Sequence, residues 1–244
     1  MKELSTLRLQ IDEIDRAMTE LLVRRMDVSR EIAKAKQSTA LPVTDPAREA
    51  LILSRAREAA APYGEEGCRL MRLLMDLSKR RQALEAIPRI SLIGMPGCGK
   101  TTVGRALSAL IGYAFFDTDE EVTRLTGLTP QQLITGRGEA AFRLAETEAL
   151  KSVLARDHAV IATGGGIVTR QENRELLARN TLPCLILRDT ALLPTEGRPL
   201  SQSVSPEKLL RERGPCYEQL ARVRVTNQTT PQDTAEAILS DLLS

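Results

Sequence analysis

The sequence has no tryptophan, one histidine (His158) and four cysteines, at positions 68, 98, 184 and 216. A single imidazole leaves little room for histidine-based acid–base catalysis or for a His-ligated metal. The cysteines have neither the paired spacing of a zinc site nor the density of a disulfide framework, so they read as reduced, small residues of core or loop. No apolar run approaches the roughly 20 residues that span a bilayer. The opening MKELSTLRLQ lacks the apolar centre of a secretory signal. A cytoplasmic chain away from membranes is expected. The formal net charge of +2 brings no basic stripe, and no aromatic pair accompanies it, which excludes a nucleic-acid-binding surface.

What is present divides into two patterns. Composition is that of a globular protein, 42% hydrophobic and 27% charged, and 244 residues allow two small domains. Residues 1–87 read as all helix and residues 88–244 as alternating strand and helix, joined by a linker at 86–89. From Met1 to Gln37 there is neither Gly nor Pro. Leu4, Leu7, Ile11, Ile14, Met18, Leu21, Val28, Ile32 and Ala35 fall in alternating steps of three and four, a heptad seam broken only by Arg25. Such a helix is about 50 Å long, too long for a domain of this size to bury, so it calls for a partner. A second helix begins at Asp45-Pro46, an N-cap followed by proline, and ends near Pro62-Tyr63-Gly64. A third runs from Glu65 to Glu85.

Beyond Pro88, the apolar runs Ile90–Ile93, Ala114–Phe116, Ala159–Ala162, Cys184–Leu187 and Val223–Val225 alternate with amphipathic stretches. This is the pattern of a five-stranded parallel sheet covered by helices. After the first run stands Gly94-Met-Pro-Gly-Cys-Gly-Lys100-Thr101, a G-x-x-x-x-G-K-[ST] phosphate loop between strand and helix. Its backbone amides and helix N-terminus suit phosphate, Lys100 suits the outer phosphates, and the Thr101 hydroxyl suits Mg²⁺.

Other residues narrow the acceptor. FFDTDEEV sets Asp117 and Asp119 at the end of the second strand, on the rim where such sheets bind ligands. Arg143 lies on a helix past Gly138-Glu139, and Gly164-Gly165-Gly166 follow the third strand. Arg198 lies in a polar loop, and Arg213 precedes Pro215 and Tyr217. Taken singly, Asp119 could cap the helix EEVTRL, Arg143 could pair with Glu139 or Glu146, and Arg213 could be solvated. Taken in order, the set resembles shikimate kinase over residues 90–244. The resemblance implies ATP-dependent, Mg²⁺-assisted phosphorylation of the shikimate 3-hydroxyl. On it, Gly94, Gly97, Cys98, Gly99, Lys100, Thr101 and Thr102 hold ATP, with Arg198 reaching in from a lid. Thr101 and Asp117 serve the metal. Asp119 binds the acceptor hydroxyls and is placed to take the proton, Arg143 and Arg213 hold the carboxylate, and Gly165 and Gly166 line the ring. One departure is that Leu187–Arg198 is several residues shorter than that family's lid and lacks its opening arginine. This supports an alternative in which the half is a regulatory nucleotide-binding module. A third reading, a kinase for another polyol or sugar acid, fits the two arginines and the triple glycine less well.

In the first half the placement of charge is informative. Arg25 interrupts the seam; Met71, Met75, Ser78 and Gln82 share one face of the third helix; Asp45, Arg48 and Glu49 gather within a turn. A buried guanidinium needs an anion or water, so a polar cavity inside a helical bundle is expected. Residues 1–86 resemble the all-helical type of chorismate mutase. The resemblance implies the ligand set Arg8, Arg25, Lys36, Asp45, Arg48, Glu49, Ser78 and Gln82, and a pericyclic rearrangement of chorismate to prephenate without cofactor. Arginines would clamp the two carboxylates in the reactive conformer. Lys36 and Gln82 would donate to the ether oxygen as its charge grows, with Glu49 and the Asp45 region accepting from the ring hydroxyl. Arg8 and Lys36 stand about 42 Å apart along one helix, so if both serve one ligand, Arg8 must come from a second copy. An intertwined homodimer with shared sites meets both needs. The plain alternative is a helical dimerisation module, with Arg24, Arg30, Arg80 and Arg81 simply solvated. The two activities are not consecutive, so channelling between the halves is not expected.

Overall fold

The computed structural model describes residues 3–39, 44–193 and 205–243, which fall into two compact units, Met1–Ala86 and Ile87–Ser244. Arg198, expected in a lid, lies outside the described residues.

The first unit is three helices: α1 (Leu4–Thr39), α2 (Pro46–Ala59) and α3 (Gly64–Glu85). The α2 N-terminus forms as its sequence dictates. The Asp45 carboxylate accepts from the Arg48 N–H at 3.0 Å, and Pro46 occupies the first turn, where no amide is needed. Both α1 and α2 pack on α3, yet few apolar residues are sealed: Ala33, Cys68, Met75 and Leu84, with none from α2. Residues 3–21 are exposed throughout, and the seam stands open, with Leu4 63%, Ile11 56% and Leu21 63% accessible. Arg24 and Arg80 are solvated as expected. Arg30 and Arg81 are not. They converge on the buried Glu85 carboxylate at 2.9 and 3.2 Å and tie α1 to α3. A carboxylate removed from water requires counter-charge, and the sequence pattern alone did not reveal that Glu85 was buried.

The second unit has strands β1 (Arg89–Ile93), β2 (Ala114–Asp117), β3 (Ala159–Ala162), β4 (Leu182–Leu187) and β5 (Val223–Thr226). They form one parallel sheet in the order β2-β3-β1-β4-β5. Helices α4 (Lys100–Ile111), α5 (Thr118–Thr126), α6 (Pro130–Leu154), α7 (Gln171–Asn180) and α8 (Pro206–Leu220) lie between them in sequence, and α9 (Pro231–Leu242) follows β5. Strands read as continuous apolar runs because the sheet is sandwiched: Ile90, Leu92, Val160, Ile161 and Ile186 are sealed from solvent. Central β1 lies between β3 and β4, so the chain departs to opposite sides there, and a crevice opens at the strands' carboxyl ends. A smaller cluster of Val122, Leu133, Phe142 and Ala149 braces α5 against α6. The long α6 breaks at Gly138 (φ 86°, ψ 163°) and resumes at Glu139, which starts the turn that carries Arg143. Among the described residues no helix is long and apolar enough to cross a membrane.

Candidate functional site

A cavity of about 730 Å³ opens at the carboxyl ends of the central strands of the α/β unit. The loop after β1 contributes Gly97, Gly99, Lys100, Thr101 and Thr102. Gly94 and Cys98, expected in the same set, do not line it; Cys98 is fully buried beneath the loop. The Lys100 ammonium donates to the carbonyls of Gly94 and Met95, both at 2.8 Å, and so folds across the loop it was expected to reach out from.

The turn after β2 separates two carboxylates that look alike in sequence. Asp117 caps α5, accepting the Asp119 N–H at 2.9 Å through Oδ1 and the Thr101 hydroxyl at 2.9 Å through Oδ2. The cap expected as an alternative for Asp119 therefore belongs to Asp117. Asp119 instead lines the cavity beside Gly164, where a Cβ would lie 3.0 Å from its Oδ1. The Gly164 N–H donates to Thr118 Oγ at 2.9 Å, which joins this turn to the glycine loop after β3.

Arg143 makes the ion pairs weighed for it in sequence and also faces the cavity. It lines the cavity, and its guanidinium donates to Glu146 Oε2 and to Glu139 Oε1, each at 2.9 Å. Burial works against its charge, but the two carboxylates outweigh this and raise its pKa. Gly166 makes room for it, since a Cβ there would stand 2.4 Å from Arg143 Nη1, while a Cβ on Gly165 would stand 2.6 Å from Pro96 Cγ. Arg213, from α8, donates to the Gly165 carbonyl at 3.2 Å, and the Tyr217 hydroxyl donates to the same carbonyl. Burial pushes the Tyr217 phenol well above its usual range.

Two charged lining residues were missed in sequence. Glu146, seen there only as an ion-pair partner for Arg143, is fully buried in the cavity wall. Desolvation lifts its carboxyl to about 7, with Arg143 opposing the rise. Arg188, one residue past β4, sits at the rim; a position just after a parallel strand is the signal that could have found it.

The helical unit holds a second cavity, of about 630 Å³. Its wall includes Arg25, Lys36, Asp45, Arg48, Glu49, Ser78 and Gln82, seven of the eight residues expected there. The eighth, Arg8, is on the exposed stretch of α1 and not in this wall. Arg25 donates to the Leu74 carbonyl and to the Ser78 hydroxyl, and desolvation lowers its pKa. The Gln82 Oε1 is buried without a hydrogen-bond partner among the described residues. Lys79, missed because it begins the charged run KRR, turns into this wall and pairs with Glu49 at 3.0 Å. His158 lies at neither cavity and meets Tyr113 edge-on, with ring centroids 5.1 Å apart.

These two sites can be set beside known proteins. The sequence model of the shikimate kinase family matches residues 96–243, and that of chorismate mutase type II matches residues 7–83. A shikimate kinase of Acinetobacter baumannii (strain AYE) is 38% identical over 173 residues, covering 67% of this chain and 96% of that protein. One of Nitratidesulfovibrio vulgaris is 42% identical over 146 residues, covering 55% and 83%. Among solved structures, shikimate kinase from Acinetobacter baumannii in complex with shikimate is similar with a TM-score of 0.61 at 35% identity, covering 66% of this chain and 96% of that one.

Proposed function

The chain belongs to the shikimate kinase family and carries a chorismate mutase type II domain ahead of it, and from that premise we propose that both cavities are catalytic in one bifunctional enzyme. Residues 1–87 form the mutase domain and residues 88–244 the kinase domain. ATP, shikimate and chorismate are the ligands, and the cytoplasm, where ATP is made and consumed, is the compartment. The reading is carried by one observation: each cavity gathers, from separate helices or loops, the polar set that its chemistry needs.

In the kinase domain the phosphate-loop amides and Lys100 receive the ATP phosphates. Thr101 and Asp117 offer Mg²⁺ a hydroxyl and a carboxylate oxygen whose atoms already meet at 2.9 Å. Hard oxygen donors in that number suit Mg²⁺, which completes its shell with water and phosphate. Bound there, the ion would neutralise charge on the transferring phosphoryl group. Arg143 and Arg213 take the shikimate carboxylate. Gly164, Gly165 and Gly166 leave the ring room, and Asp119 accepts the proton of the attacking hydroxyl. The carboxyl groups of Glu139 and Glu146 hold the Arg143 guanidinium, so its position does not depend on the substrate.

In the mutase domain no group of the protein forms a covalent bond. Arg25 and Arg48, with Arg8 from a second copy, clamp the chorismate carboxylates. Lys36 and Gln82 donate to the ether oxygen as negative charge grows on it, and Glu49 accepts from the ring hydroxyl. The open seam of α1 and the distance of Arg8 from the other seven residues support a homodimer with shared sites.

The test is a paired assay on the purified full chain: loss of chorismate without cofactor, and shikimate-dependent ADP release with Mg²⁺ and ATP. Arg25→Ala is expected to cost the first activity roughly 10²–10³-fold and to spare the second; Lys100→Ala does the reverse. Mutase activity without shikimate-dependent ADP release would turn the second domain into a nucleotide sensor and sink the bifunctional reading.

A further inference from the structure

We propose that Asn227, held by Thr234, is a positioning residue that sets the phosphate loop for ATP. The inference rests on the nucleotide reading above and goes beyond it, because Asn227 does not itself line the cavity and acts through the loop.

Asn227 follows β5 in the turn that leads to α9 and is buried. Its backbone N–H donates to the Leu187 carbonyl at 2.8 Å, which fastens the turn to the end of β4. Its side-chain Nδ2 donates to the carbonyl of Cys98 at 2.8 Å, across 129 residues of chain. On the other side its Oδ1 accepts from the Thr234 hydroxyl at 3.1 Å, and Thr234 is itself buried. The chemistry admits one orientation. A carbonyl can only accept, so nitrogen must face Cys98, and the amide oxygen is left to the hydroxyl.

The consequence reaches the next peptide group. In a planar trans peptide the C=O of one residue and the N–H of the next point in opposite directions. Holding the Cys98 oxygen toward Asn227 therefore aims the Gly99 N–H the other way, to the side of the loop that faces the cavity. Gly99 itself lines the cavity. Its φ of +100° is one that side chains disfavour, and a Cβ there would lie 2.3 Å from Asn227 Nδ2. The Asn227 amide thus fills the space a side chain at position 99 would need. Phosphate cradles work by amides already aimed at the anion. Without the Asn227 bond the Cys98–Gly99 peptide could rotate, and ATP binding would have to supply the ordering.

The experiment compares Asn227→Asp and Thr234→Val with the wild-type full chain, measuring KM for ATP, KM for shikimate, ADP affinity by calorimetry, and mutase rate. Asn227→Asp keeps the size but sets an acceptor against a carbonyl. It is expected to raise KM for ATP and weaken ADP binding about tenfold or more, with shikimate affinity and mutase rate within about twofold. Thr234→Val, which removes the support together with a hydroxyl bond to the Thr230 carbonyl within the same turn, should show the same selectivity at roughly two- to fivefold, and it serves alone if Asn227→Asp does not fold. ATP and ADP affinities unchanged in the variants overturn this inference and leave the nucleotide reading standing. Equal losses for ATP and shikimate, with a lower Tm, also overturn it, by making the pair structural. Absence of ATP binding by the wild-type chain overturns the nucleotide reading and this inference together.

Discussion

The α/β unit and the helical unit solve the same task, holding a small anion, in opposite ways. In the α/β unit the central strands of the sheet are sealed on both faces, and loops at the strand ends bring Lys100, Asp119, Arg143 and Arg213 to one cavity within a single copy. In the helical unit the apolar seam of α1 faces solvent, and the cavity wall has seven expected ligands while Arg8 stands elsewhere. A layered fold completes its core by folding back on itself. A helix of 36 residues extends beyond what its own short domain can cover, and the homodimer proposed above would supply both the missing burial and Arg8.

If that contrast holds, a charge in the seam separates the two activities. Ile14→Asp with Met18→Asp is expected to split the dimer and lower mutase activity by at least about 100-fold, since an ionised side chain does not enter an apolar interface unpaired. Kinase activity should change less than about twofold. Sedimentation velocity and the paired assay check both, and a fully active monomeric mutase would break the comparison.

Complementation sharpens it. Arg8→Ala and Arg25→Ala chains, each inactive as mutase alone, should recover about a quarter of wild-type activity when co-expressed. Half the dimers would then be mixed, with one intact site each. No recovery despite verified mixed dimers means that the site does not borrow Arg8.

The smallest expected effect concerns the α/β unit and pH. The Glu146 carboxyl is raised from 4.5 to about 7 by desolvation. Between those values the folded state binds a proton that the unfolded chain releases. The stabilisation is therefore fully present below about pH 4.5 and is lost as pH rises through about 7. Glu146→Gln should flatten this slope. Relative to the variant, wild-type stability is expected to fall by up to about 3 kcal/mol between about pH 5 and about pH 8. Urea unfolding of the α/β unit at several pH values reads it directly; parallel slopes would show that Glu146 stays ionised in the fold.

How much was legible depended on whether a residue's role was local. The strands beginning at Ile90, Ala114 and Ala159, the Asp45 cap and the phosphate loop were readable because each is written in adjacent or periodic positions. Arg25 was readable because it violates a period. The cap weighed as an alternative for Asp119 falls to Asp117, two residues earlier, and only backbone geometry separates the two. Lys79 looked like one more charge in KRR, and Glu85 like one more helix-surface acid. Their partners, Glu49 on α2 and Arg30 on α1, come from other helices.

By itself, then, the sequence determined two regions of different class, the phosphate loop, most of the charged residues that line its cavity, and the polar set that lines the cavity of the helical unit. Spacing along a helix or after a strand is imposed by backbone geometry before any packing occurs. Only the tertiary structure decided that Asn227 grips the loop at Cys98, that Gly166 makes way for Arg143, and that Glu146 is sealed in the cavity wall. Those contacts are set by how whole elements pack, and packing joins residues far apart in the chain without leaving a period to read.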